Sequence, residues 1–253
     1  MRMIQEHVAV ARGFADLRGS AVDELRFPAH ALVLLIGVPG AGKTTLLRRL
    51  YADGARPTLP PRTGGIQILD SEQTRAAWRT VLQPVPYRFW RPLVHASHYV
   101  RLWAAIRRGG PVLAHDCGTR PLVRRLAGRW AGRHGLEVHL LLLDVSPEQA
   151  RAGQLARGRS IPPGRFDLHC RRWSALLDEA AQRPDLLVPG ARSALVLDRR
   201  TADQLRSVRF GPEPGAGPAD RGSADRGSAD SAPTEPQRPV ERQVDDVLGD
   251  REG

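Results

Sequence analysis

Residues 31–50 read ALVLLIGVPGAGKTTLLRRL, and this stretch decides the fold. Its first six residues, Ala31 to Ile36, are apolar without interruption, the pattern of a strand buried on both faces. Gly37, Gly40 and Gly42 then allow a tight loop whose backbone amides can face a phosphate. Lys43 and Thr44 open an amphipathic helix that reaches about Tyr51. The spacing is GxxxxGKT with a strand before and a helix after, the context a phosphate-binding loop requires. Loop amides and the helix N-terminus cradle the α- and β-phosphates. Lys43 reaches the β- and γ-phosphates, and the Thr44 hydroxyl holds Mg²⁺. Gly37, Pro39, Gly40, Ala41, Gly42, Lys43, Thr44 and Thr45 are therefore the candidate nucleotide-binding residues. The motif calls for ATP with Mg²⁺ but does not choose the reaction.

Downstream of this helix, ADGARPTLPPRTGG (residues 52–65) is too rich in Pro and Gly for a regular element. At that length it has the character of a binding loop. Ile66 to Leu69 follows as a short strand ending at Asp70. A helix from there to about Leu82 has Ser71 as its expected cap and Thr74 at N3. Asp70 thus stands at the carboxyl end of a strand, where open α/β sheets bind ligands. It is either a base for an acceptor hydroxyl or an ordinary helix cap. The segment QPVPYRFWRP precedes a helix expected over Leu93 to Arg108, with Tyr99, Leu102 and Ile106 on its packed face. Tyr87, Phe89 and Trp90 either floor an acceptor pocket or cap the core. His95 and His98, three apart, could line one site.

Pro111 to His115 is the next expected strand and ends at Asp116. An Arg-rich helix follows, with Leu122, Leu126 and Trp130 as its buried stripe. Leu136 to Val145 is the most apolar strand, expected to be central, with Asp144 at its end. Ser146-Pro147-Glu148-Gln149 is a helix start: serine cap, proline at N1, glutamine at N3. That helix should fail at Gly153 or Gly158. Residues 151–165, RAGQLARGRSIPPGR, hold four arginines, three glycines and two prolines. They read either as a mobile arginine lid over bound phosphates or as a solvated basic loop. A helix from Phe166 to about Ala181 packs Phe166, Cys170, Trp173 and Leu177, and Ala194 to Leu197 is the last short strand.

Strands and helices alternate five times, which argues an α/β fold of the P-loop NTPase type. The expected architecture is a five-stranded, mostly parallel sheet with helices on both faces. Residues 1–30 show no firm period beyond a turn at Asp16 to Gly19, and they are expected to pack beside the first strand. Residues 1–210 read as the folded domain. Residues 211–253 carry a tandem RGSAD repeat with almost no apolar content, and they read as a disordered acidic tail.

The net charge is +11, and Lys43 is the one lysine; every other basic side chain is an arginine. Ten acids against five arginines make residues 211–253 −5, which leaves +16 on the rest. A basic body can bind a polyanion, or the tail can screen it. No apolar run approaches the roughly 20 residues of a membrane span, and neither a membrane partner nor a secretory signal is expected. Cys117 and Cys170 form no close pair, so neither a disulfide framework nor a zinc site is expected, and the compartment implied is the cytoplasm.

Phosphoryl transfer needs a phosphate cradle, a metal, a base for the nucleophile, and cations over the moving group. The loop supplies the first, and Thr44 with an acid supplies the second. Asp70 can accept the hydroxyl proton. Arg157 and Arg159 can reach the γ-phosphate, and Arg120, Arg124 or Arg125 can hold an acceptor phosphate. No glutamate or glutamine between Asp70 and Asp116 stands out as a positioner of water.

The pieces GVPGAGKTT, IQILD, HDCGTRPLVRR, HLLLLDVSPEQA and RGRSIP, in this order over about Leu32 to Leu197, resemble small P-loop kinases. The group is the polynucleotide-kinase-like, zeta-toxin-like one, often labelled AAA-type ATP-binding. The resemblance implies ATP-dependent phosphorylation of a hydroxyl on a small molecule or a nucleic-acid 5′ end. It implies that Asp70 activates that hydroxyl and that Asp116 lies near the acceptor or, with Thr44, the metal. Arg157 or Arg159 then meets the transferring phosphate. The group often has an arginine three residues after the strand-end aspartate; here that residue is Gln73, and Arg75 comes two later. Arg75 would have to turn inward to contact an acceptor phosphate. The rival reading is an ATPase or nucleotide switch with no phosphorylated acceptor.

Overall fold

A computed structural model of the chain describes residues 5–9, 12–51, 65–116, 120–158 and 162–211. The expectations for residues 52–64, Cys117, Arg159 and the acidic tail from residue 212 onward lie outside them. In chain order the elements are β1 (Gln5–Ala9), β2 (Gly13–Asp16), β3 (Val22–Phe27), β4 (Ala31–Ile36), α1 (Lys43–Tyr51), β5 (Gln67–Leu69) and α2 (Ser71–Leu82). Then come α3 (Tyr87–Arg108), β6 (Val112–Asp116), α4 (Pro121–Arg133), β7 (Glu137–Leu143), α5 (Pro147–Leu155) and α6 (Pro163–Gln182). The last are α7 (Pro184–Leu187), β8 (Ala191–Leu197), α8 (Arg199–Gln204) and β9 (Ser207–Phe210).

The main sheet has six strands in the order β2-β8-β7-β4-β6-β5, all pairs parallel. The expected five-strand count is corrected by β2, which pairs with β8 at the edge rather than beside the first strand. A separate parallel sheet, β1-β3-β9, joins the N-terminal segment to Ser207–Phe210. β4 and β7 lie at the centre, and every residue of β4 is buried. A strand with helix-covered neighbours on both faces has no polar side to show, hence ALVLLI and VHLLLL. Register aligns the strand ends: Ile36 pairs with Asp116 on one side and with Leu142 on the other.

Two helices differ from expectation, and α5 decides between its two expected stops. α3 begins at Tyr87, two turns earlier, with Pro86 as its extended first cap and Pro92 inside it. A proline there forfeits one helical hydrogen bond, to the Arg88 carbonyl, which the following turns tolerate. α4 buries Ala127, Gly128 and Ala131 most fully; of the expected stripe Trp130 packs partly buried against the core, Leu126 is half-buried and Leu122 is exposed. Small residues are needed because a Cβ on Gly128 would run into the Pro189 carbonyl. α5 passes through Gly153 and ends before Gly158, whose φ of 61° stops it. No helix among the described residues is long and apolar enough to cross a membrane.

Candidate active site

The loop between β4 and α1 sits at the carboxyl end of the sheet, and its own chemistry holds it shut. Lys43 is buried, and its Nζ donates to the Gly37 carbonyl at 2.6 Å and the Val38 carbonyl at 3.0 Å. Gly40 and Gly42 have φ of 93° and 100°, a conformation that side chains rarely adopt. Neighbouring backbone approaches too closely for a Cβ in any case. One on Gly40 would strike the Ala150 carbonyl of α5, and one on Gly153 would strike the Gly40 carbonyl. Gln154 Nε2 donates to the Pro39 carbonyl at 3.0 Å. Gly153 therefore lets α5 lie directly on the loop. The capping box at Ser146 and Gln149 fixes where α5 starts. On the other side, the Arg199 guanidinium packs against Gly42.

Asp70 is buried at the end of β5, and three donors meet its Oδ1. They are the Glu72 amide at 2.9 Å, His115 Nδ1 at 2.8 Å and the Thr44 hydroxyl at 3.4 Å. Oδ2 accepts no hydrogen bond among the described residues. The cap of α2 is thus Asp70 and not Ser71. Burial pushes the carboxyl upward, but the hydrogen bond and charge of His115, the Glu72 amide and the Thr44 hydroxyl outweigh it. Asp70 is held below its usual value and stays ionised. His115 follows from register: Leu69 pairs with Ala114, so the next residues, Asp70 and His115, meet. Arg101 donates to Thr74 at 2.8 Å; burial lowers its pKa while the Asp70 charge works against that shift.

The cleft beside Asp70 has a volume of about 620 Å³ and runs between α1 and α2, with Leu47, Tyr51, Ile68, Gln73 and Ala77 in its walls. Arg157 Nη2 donates to the Thr45 hydroxyl at 2.9 Å, which brings it to the first turn of α1. Arg75 lies 4.4 Å from the Tyr87 ring centroid, and that ring meets Trp90 edge-on at 4.7 Å. Trp90 is core, Tyr87 carries Arg75, and Phe89 is exposed. A positive field extends over α6: burial, then Arg172, Arg165, Arg91 and Lys43, hold His169 below its ordinary pKa.

The structure therefore gathers Lys43, Thr44, Asp70, Arg75 and Arg157 around one region. Asp116 has its backbone beside Ile36; its side chain lies outside the described residues. Arg120 is exposed at the start of α4, and Arg124 Nε is turned to the Leu187 carbonyl at 3.2 Å. Asp144 is engaged at both oxygens, by Trp173 Nε1 at 2.8 Å and Arg18 Nη1 at 2.9 Å. His95 and His98 part company: His98 Nε2 lies 3.1 Å from the His115 carbonyl, while His95 stacks near Tyr99. Sequence reading missed His115, Arg101, Gly153 and Arg199. Of these, His115 carried a signal, as the residue just before a strand-end aspartate.

A family described as AAA domain matches residues 32–182. No curated protein matches the sequence. Among solved structures, one from the PezAT chromosomal toxin-antitoxin system of Streptococcus pneumoniae is 16% identical, with 75% of this chain and 81% of that chain covered, at a TM-score of 0.48. A tunicamycin resistance protein of Deinococcus radiodurans is 20% identical, with 61% and 84% covered, at a TM-score of 0.38. Likenesses of this size carry no argument about the reaction.

Proposed function

The chain belongs to this AAA domain family, and on that premise we propose that it is an ATP-dependent phosphotransferase acting on an acceptor hydroxyl. The observation that carries the reading is the unequal use of the Asp70 oxygens. Oδ1 is anchored to His115, Glu72 and Thr44, while Oδ2 accepts nothing among the described residues of a carboxylate that lines the 620 Å³ cleft. A cap or structural ion pair has no need of an open oxygen on a cleft. A base does, and an ionised one placed beside a hydroxyl can take its proton.

In the step proposed, the acceptor oxygen forms a bond to the γ-phosphorus, and its proton passes to Asp70 Oδ2. The bond from that phosphorus to the β,γ-bridging oxygen breaks, and ADP leaves with the electron pair. Lys43 meets the β- and γ-oxygens, and Arg157, already at the first turn of α1, lies over the moving group with Arg159 as its neighbour in sequence. Closure of residues 151–165 as a lid belongs to the same reading.

The residues also suit Mg²⁺. Thr44 offers a hydroxyl at the start of α1, 3.4 Å from a carboxylate oxygen of Asp70. A magnesium ion bound with phosphate needs only one or two such protein oxygens, the rest being water. Thr44 would hold it, with Asp116 as the second candidate, and when bound it would neutralise charge on the β- and γ-oxygens.

A second reading, hydrolysis, rests on Gln73. The residue lines the same cleft, where its amide could orient a water. Incubation with γ-labelled ATP and a panel of hydroxyl acceptors separates the two. Phosphotransfer places the label in an acceptor, whereas label recovered only as inorganic phosphate with every acceptor favours hydrolysis.

A further inference from the structure

α3 is apolar on two opposite faces, and one of them stands exposed. The helix packs on α2, α4, β5 and β6, with Trp90, Val94, His98, Leu102 and Ile106 buried on its inner face. Along the outer face run Phe89, Leu93, Ala96, Val100 and Trp103, all exposed; Phe89 shows 63% of its surface and Val100 61%. The steps between them are four, three, four and three residues, the spacing of a seam that receives another helix. A surface helix turns polar side chains to water, and one that is apolar all round belongs in a covered position.

Two properties of the stripe choose its occupant. The first is charge. The positions beside the seam are Trp90, Ser97 and Ala104 on one flank and Pro92, Tyr99 and Ile106 on the other. None is charged, and these are the positions at which paired helices select a partner through ion pairs. The seam therefore makes no demand for an acidic partner, and no like charges oppose one another along it when a second copy lies there. The second property is symmetry. Phe89 and Trp103 each stand seven residues from Ala96, with Leu93 and Val100 inside them at three and four. Two copies turned antiparallel about a two-fold axis at Ala96 set Phe89 against Trp103 at both ends, Leu93 against Val100 within, and Ala96 against itself. The smallest residue falls on the axis, which suits a close interhelical approach of about 8 Å. An interface between identical surfaces requires this self-complementarity.

The area is in proportion. With about 150–250 Å² for a whole aromatic side chain, the exposed parts of Phe89, Leu93, Val100 and Trp103 come to roughly 400 Å² per copy. Two copies with their rim residues then cover about 1,000 Å², the lower bound of a specific interface. We propose that the outer face of α3 is a self-association seam, on which a second copy of this chain lays its own α3 antiparallel. The inner face of the same helix carries His98 to the His115 carbonyl and Arg101 to Thr74, so the seam braces the helix that backs Asp70. The proposal does not depend on the phosphotransfer reading.

The ends of the seam supply a diagnostic. Arg88 lies over the Phe89 ring and Arg107 over the Trp103 ring, so in the antiparallel pair Arg88 of one copy comes near Arg107 of the other. Salt screens that repulsion and leaves the apolar contact intact. Sedimentation velocity of the full chain over roughly 1–200 µM, the range for an interface of this size, should show monomer giving way to dimer. Raising salt from about 0.1 M to about 0.5 M should hold or tighten the dimer. Ala96→Glu sets two like charges face to face on the axis and should weaken association about a hundredfold. The position is exposed, so circular dichroism of the dilute variant should match wild type. Leu186→Glu, the same kind of change at an exposed leucine of α7, should leave association unchanged. Phe89→Glu/Trp103→Lys places opposite charges together at each end and should associate about tenfold or more tightly than Phe89→Lys/Trp103→Lys. Equal loss in those two double variants overturns the antiparallel pairing. A monomer throughout, a dimer that Ala96→Glu does not weaken, or one that salt dissolves overturns the seam. Flotation with phosphatidylcholine–phosphatidylserine vesicles covers the other occupant: capture of monomeric wild type but not of Ala96→Glu would give the face to a membrane surface and overturn the second copy.

Discussion

Asp70 and Asp144 occupy equivalent places, each the residue after a parallel strand of the same sheet, yet they are used in opposite ways. Asp144 spends one oxygen on Trp173 and the other on Arg18, so it ties β7 to α6 and to the N-terminal segment. Asp70 lines a cleft and gathers three donors on Oδ1, while Oδ2 accepts no hydrogen bond among the described residues. Position at a strand end therefore does not make a carboxylate reactive. What separates the two is whether both oxygens are already engaged, and what the carboxylate lines.

The contrast can be broken at several points. Lys43→Ala should have the largest effect, because it removes the ammonium that the loop holds in place: turnover is lost and ATP affinity falls, with the fold retained. A variant with half the wild-type rate removes Lys43 from the mechanism. Gly153→Ala comes next. Its Cβ meets the Gly40 carbonyl, backbone against backbone, so α5 or the loop must shift. ATP affinity should drop about tenfold, with about 1–3 kcal/mol of stability lost to overpacking. Calorimetric titration and thermal melting read the two effects, and normal ATP affinity would show that the loop tolerates the displacement. Arg157→Ala should lower kcat by about tenfold, more than it raises the KM for ATP, as removal of a transition-state contact does. A change in KM alone would leave Arg157 as a ground-state binder. Asp144→Asn should be the mildest. It keeps an acceptor for Trp173 and gives up a half-exposed ion pair with Arg18, so the loss is about 1 kcal/mol or less, read as a small fall in melting temperature.

The comparison also marks what a sequence can carry. The GxxxxGKT loop, the capping box at Ser146 and the strand-end acids were legible because their signals are local. The second sheet and the edge strand β2 of the main sheet were not: β3 pairs with β9 and β2 with β8, each across about 180 residues of chain. The face of α4 was misread because its partner is a backbone carbonyl, so alanine and glycine pack where Leu122 and Leu126 had seemed the natural stripe. In the site, Lys43, Asp70 and Arg157 could be named from motif and spacing. His115 required the β5–β6 register.

The sign of the Asp70 shift gives the reaction a pH signature. A carboxylate held below its usual pKa remains a base as pH falls through the ordinary carboxylate range, so transfer should fade only below that range. The stability contributed by its hydrogen bonds is present above the unfolded value and lost as pH falls through the folded one.

The most direct measurement sets Asp70→Asn beside Asp144→Asn in one experiment, reading ATP–Mg²⁺ affinity by calorimetry and label transfer from γ-labelled ATP to an acceptor. Asp70→Asn should bind ATP–Mg²⁺ nearly as wild type and transfer about 10²-fold more slowly or worse, the order expected for loss of a general base. Asp144→Asn should transfer at close to the wild-type rate. Normal transfer by Asp70→Asn, or an equal loss in both variants, would contradict the assignment of Asp70 as the base.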